Sequence, residues 1–166
     1  MTEYDINFAK KLAETASGIV VDGIESIYAQ RTVLYLSLLS GEIALKALLE
    51  KAGKPISEIR RRSHNLRQLL RDIDVCEVEV EIASGEMRWC SASRLRAVVV
   101  DQRYGNATIG VLLNSDEVGA SRYPGEVRYG DMLRHYPVDV MAKMAVLVCE
   151  WANNNWNTIR IPNFNP

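Results

Sequence analysis

The chain has 166 residues, of which 48% are hydrophobic and 25% are charged, and its net charge is −1 at pH 7. This length and composition are typical of a single globular domain that covers residues 1–166 and buries a sizeable core. The net charge excludes a bulk electrostatic attraction to nucleic acid or anionic membranes, and the lack of both a signal peptide and an apolar run of about 18 residues predicts a cytoplasmic protein without a membrane span.

A short amphipathic helix is predicted near the N-terminus, over residues 5–17. Asp5 is its expected N-cap, and Gly18 is expected to interrupt it. Its apolar face consists of Ala9, Leu12, Ala13 and Ala16.

A second helix is predicted from about Asp22 to about Ala52. The four residues Asp22-Gly23-Ile24-Glu25 have the form of a capping box, with an acceptor at the N-cap and a glutamate three residues later. The alternative is one long first helix that reaches Gln30 and turns near Arg31.

The pattern of residues 32–73 predicts a helical hairpin. Its first helix is the C-terminal part of the helix just described, and a tight connection joins it to the second helix of the hairpin. Their apolar faces consist of Leu34, Leu38, Leu45, Leu48 and Leu49 in the first and of Leu66, Leu69, Leu70 and Ile73 in the second. Gly53 and Pro55 end the first helix, and Ser63 is the expected N-cap of the second. The connection carries Arg60, Arg61, Arg62 and His64.

The polar residues of this helical hairpin have structural and functional interpretations. Glu42 and Lys46 lie one turn apart and are interpreted as an exposed helix pair with a structural role. His64 is expected to bond to the backbone or to Glu42 and so to orient the hairpin. The arginine run is interpreted as a solvated face, and the functional alternative is a phosphate site formed by Arg61, Arg62 and His64.

After Ile73 the spacing of the apolar residues changes from a helical to a strand-like pattern. Residues 76–82 alternate between apolar and polar side chains, which predicts a half-buried strand, and residues 86–90 predict a returning strand after a turn at Ser84 and Gly85. A small β-hairpin is therefore expected at about 75–90. Residues 94–100, with Ser93 as cap, fit a helix or a strand, and residues 106–113 are ambiguous in the same way. We expect 75–120 to be an insertion or an irregular segment.

The last helix is predicted to have Pro137 as its first residue. Its inward stripe consists of Val138, Met141, Ala145, Val148, Cys149 and Ala152. Residues 153–155 let it fray, and the tail at 157–166 either docks or stays loose.

Three cysteines, Cys76, Cys90 and Cys149, are scattered along the chain. Their odd number and spacing favour reduced thiols, and the alternative is a disulfide between Cys76 and Cys90 across the hairpin. No metal-ligand spacing and no glycine-rich phosphate loop occurs in the sequence, so we expect neither a metal nor a cofactor.

Three parts of the chain resemble the HEPN family of small helical-bundle domains. They are Glu42-Ile43-Ala44-Leu45-Lys46-Ala47-Leu48-Leu49, then His64-Asn65-Leu66 with Leu69, and finally Ser121-Arg122-Tyr123-Pro124-Gly125. In the family, a glutamate precedes an LKALL-like run, an HDL-like element begins a helix, and an RYP element precedes the last helix. The resemblance implies a mainly α fold, an up-and-down bundle of four to five helices.

Nucleolytic members of the family carry an arginine and a histidine that are separated by four to six residues and form a metal-independent RNA-cleaving site, usually across a dimer cleft. Arg128 and His135 have this spacing, with six residues between them. A histidine can act as general acid or base near neutral pH, and an arginine can stabilise the charge on a phosphorane. Tyr129 follows the arginine where the family has a polar residue, and Pro137 places His135 before the helix rather than inside it.

The resemblance implies two functions. The first is a non-catalytic helical module that binds nucleotide or RNA phosphates, through Arg61, Arg62, His64, Arg122 and Tyr123, or binds a partner protein such as a nucleotidyltransferase-type antitoxin. The alternative is a ribonuclease of toxin or defence type that uses Arg128 and His135. Either form is expected to be a cytoplasmic homodimer.

Overall fold

The computed structural model describes residues 2–105, 107–114, 127 and 137–162. Its α-helices are α1 (Ile6–Asp22), α2 (Ile27–Lys51), α3 (Ile56–Arg61), α4 (Leu66–Asp74), α5 (Ile109–Asn114) and α6 (Val138–Asn154), and its 3₁₀ helix is Ala92–Ala97. Its strands are β1 (Glu77–Glu81), β2 (Met87–Ser91), β3 (Val99–Asp101) and β4 (Ala107–Thr108). The predicted mainly α class with a small β-hairpin is confirmed.

The core lies where α1, α2 and α6 pack against one another. The face that α1 presents to it consists of Ala9, Ala13 and Ala16, whose small side chains allow the helix backbones to approach closely. The predicted leucine face of α2 and the predicted stripe of α6 are buried in this core. The hydrophobic pattern therefore identified the inward faces of the long helices correctly, because burial of apolar area is the main favourable term in their packing.

The boundary between α1 and α2 differs from the prediction. Asp5 is the N-cap of α1, as expected, and its carboxylate accepts a hydrogen bond from the Asn7 backbone N–H at 2.8 Å. The helix continues through Gly18 to Asp22, and its C-cap is Gly23, whose φ of 124° other residues rarely adopt. Gly18 does not end the helix, because a glycine inside a packed helix costs only about 1 kcal/mol.

The start of α2 also corrects the prediction. Ser26 is its N-cap, and the Ser26 hydroxyl accepts a hydrogen bond from the Tyr28 backbone N–H at 3.2 Å. The predicted start at Asp22 is wrong, and so is the alternative of one long helix to Gln30. Asp22 is the last residue of α1, so its side chain cannot cap α2.

The connection between α2 and α4 contains the short helix α3, which the hydrophobic pattern did not predict. Ser63 is not the N-cap of α4, because its backbone is left-handed with φ 49°. Asn65 caps α4 instead, and its side-chain oxygen accepts a hydrogen bond from the Gln68 backbone N–H at 2.9 Å.

The central segment begins with the predicted β-hairpin. Strands β1 and β2 pair antiparallel with Val78 opposite Cys90, and Gly85 has the positive φ of 79° that the turn requires. The following 3₁₀ helix is capped by Ser91 rather than by Ser93, and the valine run then forms β3, which pairs with β4. The 3₁₀ helix and α5 pack against α4, and the cysteines are free.

The C-terminal segment docks over the part of it that the structure describes. Pro137 is the N-cap of α6 rather than its first residue, one position from the prediction. After α6 the backbone of Arg160 exchanges hydrogen bonds of 2.8 and 2.9 Å with that of Glu77, and the Arg160 guanidinium lies 3.3 Å from the centre of the Trp89 ring. The tail is therefore held by the edge of β1.

Helix α2 meets the length and composition expected of a membrane span, which the sequence prediction did not anticipate. However, 72% of its apolar window is buried inside the protein. The central helix of a folded core has the same length and composition, so this property by itself is weak support for a membrane span.

Candidate functional site

A buried pair of opposite charges lies in the middle of α2. The Lys46 Nζ atom donates a hydrogen bond to the Glu42 carboxylate at 2.7 Å, and the two residues are only 7% and 4% exposed. The prediction of an exposed helix pair is therefore wrong. Helices α1, α4 and α6 pack around α2 and leave little of its surface in contact with solvent. Charged residues of α2 whose type predicts exposure, such as Glu42 and Lys46, are therefore buried.

His64 joins this pair from the turn between α3 and α4. Its Nδ1 atom lies 2.9 and 3.1 Å from the two Glu42 carboxylate oxygens, while 48% of its side chain is exposed. The expected contact between His64 and Glu42 is thus confirmed. A tautomer that carries its proton on Nδ1 donates it to the Glu42 carboxylate. We refer to Glu42, Lys46 and His64 as the buried charge cluster.

The N-terminal segment covers one side of the cluster. The Lys46 ammonium lies 5.3 Å from the centre of the Tyr4 ring, a cation–π distance. The backbone N–H groups of Glu3 and Tyr4 both donate to the Glu50 carboxylate, at 2.8 to 3.0 Å. Glu50 lies two turns after Glu42 on the same face of α2. This spacing is the sequence signal that could have indicated that Glu50 lies close to the buried charge cluster.

Glu3 extends the network to the arginine-rich connection. Its carboxylate accepts hydrogen bonds from Arg60 Nε at 2.9 Å and from Arg60 Nη2 at 2.6 Å. These hydrogen bonds hold the pKa of the Glu3 carboxyl below its usual value, and burial raises the pKa of the Tyr4 hydroxyl. No local sequence pattern predicts a role for Glu3 or Tyr4, because their partners are about 50 residues away along the chain.

The three consecutive arginines point to different places. Arg60 binds Glu3, and Arg62 binds the buried Asp72 of α4, with Nε 2.7 Å and Nη2 3.2 Å from its oxygens. Arg61 is exposed and forms no ion pair with any residue that the structure describes. Arg61 and His64 are therefore the members of the predicted phosphate site that face solvent, whereas Arg62 is held against α4.

Asp72 anchors Arg62 within a second polar group. Burial by itself raises the pKa of Asp72, but the hydrogen bonds from Arg62 and Gln68 and the charge of Lys54 outweigh it, so the pKa lies below its usual value. The ionised carboxylate therefore fixes the α3–α4 connection against α4, and with it the positions of Arg61 and His64.

The other predicted site residues lie outside the described part of the chain. They are Arg122, Tyr123, Arg128 and His135. Among the residues that the structure describes, no group of three or more His, Cys, Asp or Glu side chains could hold a metal ion. A cavity of about 440 Å³ between α1 and α6 is lined by Lys10, Glu14 and Cys149 among others, and no residue of the buried charge cluster lines it.

The chain matches no family model, no curated protein and no solved structure. The fold and the site are therefore interpreted from the contacts of the chain itself.

Proposed function

We propose that the protein is a non-catalytic, HEPN-like helical module that binds the phosphates of a nucleotide or an RNA at the connection between α3 and α4. The observation that carries this proposal is the placement of His64, which a buried carboxylate holds at the surface three residues after the exposed Arg61. The HEPN-like arrangement itself rests on the sequence resemblance.

The contacts of the connection suit recognition of a phosphate. Glu42 restricts the His64 ring before any ligand arrives, so less side-chain entropy is lost on binding. Lys46 balances the Glu42 charge, so that an approaching anion does not meet an isolated buried carboxylate. Arg61 supplies a planar guanidinium whose donors match two phosphate oxygens.

Several features of the proposal come only from the resemblance. Arg122 and Tyr123 are proposed to add phosphate contacts from the segment before α6. The protein is proposed to act as a cytoplasmic homodimer, and a nucleotidyltransferase-type protein is its proposed partner. Light scattering at micromolar concentration tests the dimer, and a monomer would contradict it.

Binding of a fluorescein-labelled single-stranded RNA, followed by polarisation between 50 and 200 mM salt, tests the phosphate site. We expect Arg61→Ala to weaken binding and to reduce the slope of log K against log salt by about 0.7, the value of one lost contact to a single strand. The matched control is Arg94→Ala, another exposed arginine, on the 3₁₀ helix. Equal slopes for wild type and Arg61→Ala would contradict the assignment.

The same RNA, incubated with the protein in EDTA, tests the ribonuclease alternative. We expect no cleavage. Metal-independent cleavage that disappears in His135→Ala would contradict the non-catalytic module and support a nuclease that uses Arg128 and His135. The variant is informative because loss of the general acid or base removes most of the rate of cleavage.

A further inference from the structure

The residues at positions 2–5, which we call the N-terminal strap, lie across α2 and α3. The backbone N–H groups of Glu3 and Tyr4 donate hydrogen bonds to the Glu50 carboxylate, and the Glu3 carboxylate accepts hydrogen bonds from Arg60. These contacts hold the strap in place. Its Tyr4 ring lies against the Lys46 ammonium. The strap thus contacts both the buried charge cluster and the arginine-rich connection.

The contact between Glu3 and Arg60 has the geometry of bidentate anion recognition. Two carboxylate oxygens accept hydrogen bonds from Nε and Nη2 of one guanidinium, at 2.9 and 2.6 Å. Arginine binds two oxygens of a phosphate through the same pair of donors. The Glu3 carboxylate therefore occupies the position on Arg60 that two phosphate oxygens can take.

This contact is easily exchanged. The Arg60 side chain is 67% exposed, so the ion pair lies in a high dielectric and is screened by salt. Exposed ion pairs of this kind contribute little to stability. An RNA phosphodiester carries one negative charge, as the Glu3 carboxylate does, and it offers two oxygens to the same pair of donors, so the two groups compete for the Arg60 guanidinium.

We propose that Arg60 is a further phosphate contact of this protein and that Glu3 of the N-terminal strap occupies it in the absence of ligand. An incoming RNA phosphate displaces the Glu3 carboxylate and binds Arg60, which lies on the same connection as Arg61 and His64. This inference rests on the proposed phosphate-binding function and adds a residue and an internal competitor to it.

The test is RNA binding by Glu3→Gln, which keeps the shape of the side chain and removes its charge. We expect its affinity for the labelled single-stranded RNA at 50 mM salt to be about two- to fivefold higher than that of the wild type, because a weak competitor is removed. The matched control is Glu58→Gln, which removes the same charge from α3 but pairs with Lys54 instead of Arg60. Thermal unfolding of both variants checks that the fold is intact.

A double-mutant cycle with Arg60→Ala isolates the contact. The inference predicts that Arg60→Ala weakens binding and that Glu3→Gln gives no gain in the Arg60→Ala background. If the wild type binds RNA but Glu3→Gln has no larger effect than Glu58→Gln, or if the gain persists without Arg60, the strap is not a competitor and the phosphate site stands without it. If neither the wild type nor Glu3→Gln binds RNA, both proposals are overturned.

Discussion

Glu42 and Lys46 have the sequence spacing of an exposed ion pair, but the folded protein buries them. Removing two charges from water costs several kcal/mol each, and their mutual attraction offsets this only when further hydrogen bonds are formed. The Glu42 carboxylate has these, since it accepts from Lys46 and contacts the His64 ring. The pair is therefore better explained by the geometry that it imposes on His64 than by a contribution to stability.

The substitution Glu42→Gln leaves the Lys46 charge buried without the counter-ion that it has in the wild type. We expect the free energy of unfolding to fall by about 3–5 kcal/mol, the effect of breaking a buried pair. Urea unfolding at pH 7 measures this. The control is Glu14→Gln, which breaks the exposed pair with Lys11 and should change the value by at most about 1 kcal/mol.

The double variant Glu42→Leu/Lys46→Met separates charge burial from packing. Because it replaces both charges with apolar groups, we expect it to be more stable than Glu42→Gln. A double variant as unstable as the single one would contradict the interpretation that the unpaired Lys46 charge causes the loss.

At the scale of elements, glycines distinguish helices that tolerate a side chain from those that do not. Gly18 lies inside α1, and apart from its chain neighbours and the backbone of α1 itself no described atom lies within 4 Å of the Cβ that an alanine would add. Gly110 lies inside α5, where an added Cβ would be 3.0 Å from both the Cβ and the backbone oxygen of Arg96. The second glycine is therefore required by the close approach of α5 to the 3₁₀ helix.

These two positions predict opposite effects of the same substitution. We expect Gly18→Ala to raise the free energy of unfolding by about 0.5–1 kcal/mol, because alanine loses less backbone entropy in a helix. We expect Gly110→Ala to lower it by about 1–2 kcal/mol, because the crowding outweighs this gain. Urea unfolding of both variants measures these free energies. A more stable Gly110→Ala variant would show that α5 and the 3₁₀ helix can move apart to accommodate the added methyl group.

At the scale of the whole molecule, one ion-pair network connects the central segment to the last helix. Arg103 donates to Asp101 of β3 at 2.7 Å and to Asp139 in the first turn of α6 at 3.2 Å. The hydrogen bonds from Arg103 lower the pKa of Asp101 to about 2. The network therefore depends on an ionised Asp101.

The pH dependence of stability tests this network. Because the folded protein lowers the pKa of Asp101, its contribution is fully present above the unfolded value of about 3.9 and is lost as the pH falls toward 2. We expect Asp101→Asn to be less stable than the wild type at pH 7 and at pH 5, and the difference to shrink between pH 4 and pH 2. Urea unfolding across this range measures it, and a constant difference would contradict the role of the charge.

The hydrophobic pattern predicted much of the fold and a small part of the site. The inward stripe of α6 and the strand at 77–81 were correct because side-chain period alone decides which face is buried. The contact between His64 and Glu42 was expected from a histidine at the start of a helix that follows a glutamate-bearing one. The contacts of Glu3 and Tyr4 were not, because no local pattern indicates which distant helix an N-terminal segment will cross.

The sequence by itself determined the helical class, the apolar faces of the long helices, the cap at Asp5 and the β-hairpin. These are local properties, which depend on residues a few positions apart. Only the tertiary structure decided that Glu42 and Lys46 are buried, that the three arginines diverge, and that Glu3 meets Arg60. Burial and long-range ion pairs depend on which elements surround a residue, and this is determined when α1, α4 and α6 close around α2.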